Sequence, residues 1–412
     1  MDSLGVAVRA YDPYSYRIHT DPYPTYAWMR EHAPLYRNDE RDFWALSRYE
    51  DVSAALRDPG LFSSRNGVSL EPGLWGPDAV HTSFFLAMDP PEHNVLRRLV
   101  GTFFRPRWVE SLTPRIRELA RRRLAALADR SSFDFATDYA AAVPSDVMCE
   151  LLGIPVADRD RIRADNDLLN HCQDGTEHRS SESVAAGRRL ALYYATLVHE
   201  RRRHPGDDLT SKLIAARVAG QPLTDAQLVA FLFLMVSVTN ESTGKEIGLA
   251  WYYGARFPEV QRAGLNGRAA DWAYESLRYD SPTQMIARTL TRETVIHGTT
   301  VPEGARVALL LAAANRDPAV FADPDVFDLD RDPTPMLSFG RGLHFCLGAV
   351  LAPLEITIAL EEAGTLVSSY EVDLDRAVPI HSVQQRGFAS LPCTVTRRPK
   401  PVEVTAPAPR SP

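Results

Sequence analysis

The residues best suited to chemistry lie in one short stretch, Ser338-Phe339-Gly340-Arg341-Gly342-Leu343-His344-Phe345-Cys346-Leu347-Gly348. Glycines at 340, 342 and 348 crowd one cysteine, which describes a backbone held in torsions that side chains rarely adopt. A loop of that kind can aim several N–H groups at one sulfur. The next residues, Ala349 to Leu360, read as a helix. Cys346 would then stand at a helix N-terminus, where the positive end of the dipole favours thiolate over thiol. A shielded thiolate is what a soft or borderline metal takes as an axial ligand. Phe339 and Phe345 would give a flat macrocycle an apolar wall. The remaining cysteines, Cys149, Cys172 and Cys393, form no C-x-x-C pair and read as small buried hydrophobes.

The pattern F-G-x-G-x-H-x-C-x-G is filled at every fixed position, by Phe339, Gly340, Gly342, His344, Cys346 and Gly348, and resembles the cytochrome P450 family. Further stretches carry the same resemblance. E-x-x-R occurs from Glu118, Glu200, Glu259, Glu275 and Glu303, but only the Glu275–Arg278 copy precedes the cysteine by about 70 residues and runs into Tyr279-Asp280-Ser281-Pro282. Ala314-Asn315-Arg316-Asp317-Pro318 and Asp89-Pro90-Pro91-Glu92-His93 with Arg97 and Arg98 are similar too. The likeness spans about Asp21 to Pro399.

The resemblance implies a mainly α fold with small β-sheets, a triangular helical prism with a long central helix over a haem b. It implies a haem-thiolate monooxygenase that inserts one atom of dioxygen into a lipophilic small molecule. Cys346 would ligate the iron, with Phe339 and Gly348 beside it. His93, Arg97, Arg288 and His344 would hold the propionates. Glu275 and Arg278 would form a structural ion pair that fixes the segment before the cysteine loop. On the long helix, Val238-Thr239-Asn240-Glu241-Ser242-Thr243 aligns with the family's Ala-Gly, acid and threonine positions. Glu241 and Ser242, or Thr243 one residue on, would relay protons. The Ser242 hydroxyl is expected to bond to the Val238 carbonyl and open the helix locally.

Three departures matter. Val238-Thr239 replaces Ala-Gly, Ser242 replaces threonine, and Pro353 stands where arginine is common, with a bend expected there. By position, substrate contacts fall to Phe84, Phe85, Leu86, Val238, Thr239, Thr283, Gln284, Met285 and Phe388, a mostly apolar set with a few polar handles. No flavin, nicotinamide or iron–sulfur motif is present, so electrons from NAD(P)H would arrive through a ferredoxin and its reductase. Arg98, Arg105, Arg107 and Arg341 are docking candidates. Tailoring of secondary metabolites such as polyketides or terpenes fits the altered groove. The alternatives are a peroxygenase or oxidative-coupling enzyme, and a non-catalytic haem or ligand-binding relative.

The elements that must position these residues are legible in outline. The chain has 412 residues, 45% hydrophobic and 24% charged, with a net charge of -7, which disfavours a disordered chain and a basic nucleic-acid binder. Residues 1–20 read as a loose lead-in, 21–398 as one catalytic domain, and 399–412 as a Pro-rich tail. Helices are expected over Pro106–Asp129, Val184–His204 and from Thr224 to about Ala255, the last opened by a Thr224-x-x-Gln227 capping box. Arg121-Arg122-Arg123 reads as a solvated face. Strands are expected near Phe43–Ser47, Met285–Leu290, Val307–Leu311 and Pro392–Thr396. No segment carries a signal peptide or an uninterrupted membrane span, so a cytoplasmic protein that binds neither membrane nor nucleic acid is expected. No G-x-G-x-x-G or Walker loop follows a strand.

Overall fold

Thr224 starts the element around which the molecule is built. Its hydroxyl accepts from the Gln227 N–H at 3.2 Å, and the Gln227 side chain accepts from the Thr224 N–H at 2.9 Å. This reciprocal cap satisfies two donors that a helix start leaves orphaned. The helix then runs over Asp225–Arg256, 32 residues, or about 48 Å at 1.5 Å per residue. Its length and its mean hydropathy of 1.2 would suit a membrane span, yet other helices cover it. Ala142–Leu151, Ser181–Arg203, Ala269–Tyr279 and Leu351–Leu366 all pack on it. The computed structural model describes residues 10–169, 173–177, 180–218 and 220–399, without the side chains of Asn240 and Glu241. Cys172, the outer part of the expected lead-in and nearly all of the tail lie outside these residues.

Helices dominate, and the sheets are small. The largest has five strands in the order Leu35–Asn38, Phe43–Leu46, Arg306–Leu309, Ile286–Leu290 and Phe62–Ser63. Arg306–Leu309 pairs parallel with Phe43–Leu46 and antiparallel with Ile286–Leu290, with Arg288 opposite Val307. A three-stranded sheet joins Val367–Val372, Pro392–Arg397 and Ser132–Asp134. The expected strands therefore form within a residue or two of their bounds. Cys149 and Cys393 are buried, as expected of small hydrophobes.

Four expectations are corrected. The Pro106–Asp129 helix is two helices, Pro106–Ser111 and Thr113–Ala125. Pro114 lacks an N–H and its ring opposes the carbonyl of Glu110, so the first helix cannot run through it. The basic run is exposed at Arg121 and Arg122, yet it is more than a solvated face. Arg123 makes two bonds to buried Asp146, and Arg121 joins Arg117 on buried Glu362, so the run clamps three helices together. Residues 10–20 are not loose: Tyr11 and Tyr14 are 1% and 2% exposed, Ile18 is buried, and a short helix spans Tyr16–Thr20. Pro353 bends nothing, because the helix after Cys346 begins at Leu351 and runs to Leu366. Proline in a first turn removes an N–H that already lacks an intrahelical partner.

Candidate functional site

Two glycines make the cysteine loop possible. Gly340 and Gly342 have φ of 66° and 70°, and a Cβ on Gly342 would lie 2.6 Å from the Leu56 carbonyl oxygen. The turn they allow lets the Cys346 N–H donate to the Phe339 carbonyl at 2.9 Å. Phe339 is half-buried, while Phe345 is 45% exposed. Cys346 is itself accessible to solvent. Surrounding protein atoms push its thiol up, and the Gly348 N–H and the Arg97 charge pull it back toward thiolate. Burial is the larger effect and leaves the thiol above its ordinary value in the protein alone, while these two groups favour the thiolate.

A polar chain anchors this loop from behind. Arg278 and Glu275 meet at 2.6 and 2.8 Å, both buried on the helix Ala269–Tyr279. Arg278 also donates to the carbonyls of Asn315, Pro324 and Val326. Asn315 then donates to Ser338 Oγ at 2.8 Å and accepts from the Leu337 N–H at 2.6 Å. The pair thus holds the segment that leads into the cysteine loop, as the family resemblance implies.

On the other side of the loop, four nitrogen-bearing side chains converge with little to satisfy them. The His93 and His344 rings stand 4.2 Å apart. Among the described residues, His93 Nε2 and both ring nitrogens of His344 are buried without a hydrogen-bond partner of ordinary geometry, the Met88 backbone acting on His344 only weakly. Burial and the charges of Arg288, His93 and Arg97 hold His344 neutral, its pKa lowered to about 2. Arg97 donates to the Phe345 carbonyl at 2.5 Å. Arg288 is buried, donates only to its neighbour's carbonyl, and forms no ion pair among the described residues. Burial lowers its pKa to about 10, with Asp89 opposing. Asp89 is already engaged by Ser63 and Ser64. Two arginines and two histidines without an anion of their own are a receptor for a ligand with negative charge. Together with an adjacent cysteine at the mouth of a strained loop, the donor set fits a haem with its two propionates.

The long helix brings its own candidates together. Ser242 Oγ donates to the Val238 carbonyl at 2.7 Å, as expected. The helix remains α-helical through this point, so the expected local opening does not occur. Thr239 and Thr243 are buried on the same helix. The side chain of Glu241 lies outside the described residues. Phe84 and Phe85 are buried in the core cluster that includes Phe231, with Leu86 and Val238 packed against it. Phe84 adopts φ of 44°, an uncommon torsion for a bulky residue.

Four expected substrate contacts are engaged elsewhere. Gln284 accepts from Tyr26 and donates to Asp280 and the Ser281 carbonyl, which uses up its amide. Met285 is fully buried with Tyr11, Tyr14 and Tyr26 in a separate cluster. Phe388 packs on Tyr252, 4.8 Å between rings, two turns beyond Thr243. Thr283 is half-buried and bonds to Gln385 at 3.3 Å. Of the basic residues considered for docking, Arg98, Arg105 and Arg107 are exposed, while Arg341 is tied to the Pro335 carbonyl. Sequence reasoning passed over Glu246, a fully buried acid one turn from Ser242; its spacing on the helix was the available signal.

Comparison with known proteins agrees with this geometry. The sequence matches the family model of cytochrome P450 over residues 272–405. Cytochrome P450 123 of Mycobacterium tuberculosis is 44% identical over 390 residues, covering 94% of this chain and 97% of the relative. The chain belongs to the cytochrome P450 family. A second relative, the cyclomarin C epoxidase CymV of Salinispora arenicola, is 36% identical, with 88% and 92% of the two chains covered. The fold superimposes on CYP109E1 from Bacillus megaterium in complex with testosterone, with a TM-score of 0.85 at 28% identity, over 93% of this chain and all of that one. As a cytochrome P450 the protein is a haem-thiolate monooxygenase, of a family whose bacterial members generally need redox partners.

Proposed function

We propose that this cytochrome P450 inserts one oxygen atom into a lipophilic small molecule, by hydroxylation or epoxidation, in the biosynthesis of a secondary metabolite. Support for the reaction class comes from the epoxidase relative, and support for a lipophilic substrate from the testosterone-bound neighbour. The cofactor is haem b, and electrons come from NAD(P)H through a ferredoxin and its reductase in the cytoplasm. The observation that carries the reading is the convergence of unsatisfied nitrogens on His93, His344 and Arg288 beside Cys346. In this reading Cys346 ligates the iron, while His93, Arg97, Arg288 and His344 bind the propionates. When bound, the haem activates dioxygen and transfers one of its atoms to substrate.

The chain's own contributions can be separated. Gly348 N–H and Arg97 stabilise negative charge on the Cys346 sulfur. Phe84, Phe85, Leu86 and Val238 exclude water and hold an apolar substrate. Thr239, buried with its hydroxyl unused among the described residues, supplies a hydrogen bond for orientation. Glu241 passes protons to Thr243, whose hydroxyl is uncommitted. Ser242 has its proton directed at Val238 and serves the path as an acceptor. Arg98, Arg105 and Arg107 offer positive charge to an acidic ferredoxin.

The carbon monoxide difference spectrum of the dithionite-reduced protein tests the reading. A strongly red-shifted Soret band is expected, lost in Cys346→Ser. Lipophilic compounds that drive the ferric haem from low to high spin then identify substrate class. A histidine-type carbonyl spectrum, or failure to bind haem, would overturn the assignment.

A further inference from the structure

Glu246 is a buried acid that no other part of the site explains. It is 0% exposed, and among the described residues neither carboxyl oxygen has a hydrogen-bond partner of ordinary geometry. Burying a polar group without a partner is costly, and a native structure rarely leaves one so without a role. At 100° per residue, positions 239, 242, 243 and 246 fall within about 100° of one another around the helix axis. Helical side chains lean toward the N-terminal turn, over the residues three and four positions back. For Glu246 those residues are Thr243 and Ser242.

Its other neighbours are polar as well. The Ser276 hydroxyl, fully buried on the helix Ala269–Tyr279, faces it closely enough to favour the carboxylate, although among the described residues the two form no hydrogen bond of ordinary geometry. Asp280 lies one turn further along that helix, buried and charged, and adds its repulsion. Burial first, and Asp280 second, hold Glu246 in its neutral acid form against a small opposing effect of Ser276. A neutral carboxylic acid can donate a proton, which a carboxylate cannot.

We propose that Glu246 is a second acid on the proton path of the long helix, delivering protons through the Thr243 hydroxyl, beside the accepting Ser242 oxygen, toward dioxygen, an inference that rests on the oxygenase reading above. The Glu246 O–H bond breaks as the Thr243 oxygen, directly or through one water, takes the proton and releases its own toward the reacting oxygen. The carboxylate left behind regains a proton from solvent water. One solvent proton is consumed per transfer, and no electrons move. Because Glu246 acts through the Thr243 hydroxyl, it is a positioning residue for the proton.

The test uses the haem-loaded protein with a surrogate ferredoxin and reductase, and the variants Glu246→Gln, Glu246→Asp, Glu246→Leu and Ser242→Ala. Infrared spectroscopy is expected to show, beside the band of the likewise buried acid Glu355, a carboxylic-acid C=O stretch that shifts in deuterated water and is absent from Glu246→Gln. Glu246→Gln should slow NADH oxidation by roughly 100-fold, at the low end for proton-transfer groups, and raise its solvent isotope effect. Glu246→Asp should restore part of the rate. Glu246→Leu should lose the rate while raising the thermal midpoint, since it removes an unpartnered buried polar group. The proposal is overturned if Glu246→Gln keeps the infrared band. It is equally overturned if Glu246→Gln and Glu246→Leu keep wild-type rates while Ser242→Ala does not. Wild-type protein with a thiolate carbonyl spectrum but no NADH oxidation would instead sink the oxygenase reading, and the delivery role with it.

Discussion

Arg288 shows what a single residue reveals when its environment is counted. A buried guanidinium normally answers to a carboxylate, because an unpaired buried charge is costly. Arg288 answers only to a carbonyl one residue away. Replacing it by glutamine should speed haem transfer to a haem-free globin by roughly 10- to 100-fold, the worth of a charge-assisted hydrogen bond. The haem-free variant should be more stable than the haem-free wild type, because an uncompensated charge has gone. If haem loss is unchanged, Arg288 does not hold the cofactor. At this scale much was legible in advance. The cysteine loop was readable because Gly340 and Gly342 occupy positions where other residues do not fit. The direction of Gln284 was not readable, because an amide bonds equally well to a substrate or to Tyr26, and only the packing of Tyr26 decides.

Among the elements, the long helix was readable because its cap is local, a matter of four consecutive residues. The N-terminal segment was not, because its partners are distant in sequence. Tyr16 stacks on His381 with rings 3.4 Å apart, and Arg386 donates to the carbonyls of His19 and Thr20. His19 sits inside this junction, with Nε2 bonded to the Pro13 carbonyl at 2.8 Å. Burial is the main cause that lowers its pKa to about 4, His381 and Arg386 add to it, and the Pro13 carbonyl opposes. An unfolded histidine titrates near 6.5, so between that pH and about 4 the unfolded chain binds a proton that the folded chain refuses. Stability from His19 is therefore full above about pH 6.5 and is lost as pH falls toward 4, by about 3 kcal/mol at most. Urea midpoints at pH 7 and pH 5 should differ less in His19→Gln than in the wild type. Parallel losses in the two proteins would show that the junction does not depend on this group.

Across the whole molecule, the termini and the core meet at one carboxylate. Asp280 closes the helix of the Glu275–Arg278 pair and is fully buried. It accepts from Tyr23 at 2.6 Å, from Tyr253 on the long helix at 2.8 Å, from Gln284 at 3.3 Å and from Arg386 at 2.8 Å. Arg386 in turn holds the N-terminal segment through its two backbone carbonyls. Burial opposes the Arg386 charge, but Asp280, Tyr253 and Tyr23 outweigh it and raise its pKa above the usual arginine range. One anion thus joins an early helix, the long helix and the C-terminal loop, which are far apart in sequence. No sequence pattern announces such a hub, since each of its bonds spans a different separation. Its removal should act at a distance. Asp280→Asn leaves the Arg386 cation buried without its anion, and breaking a buried pair in this way costs about 3–5 kcal/mol. Urea denaturation should register that loss, and limited proteolysis should gain cuts near residues 10–20. Arg386→Met added to Asp280→Asn removes the stranded charge and should recover a good part of the stability. The N-terminal segment should nevertheless remain open to protease, because its carbonyls have lost their donor. A double variant as unstable as the sum of its two singles would mean the two residues act independently, and the hub would reduce to a set of unrelated contacts.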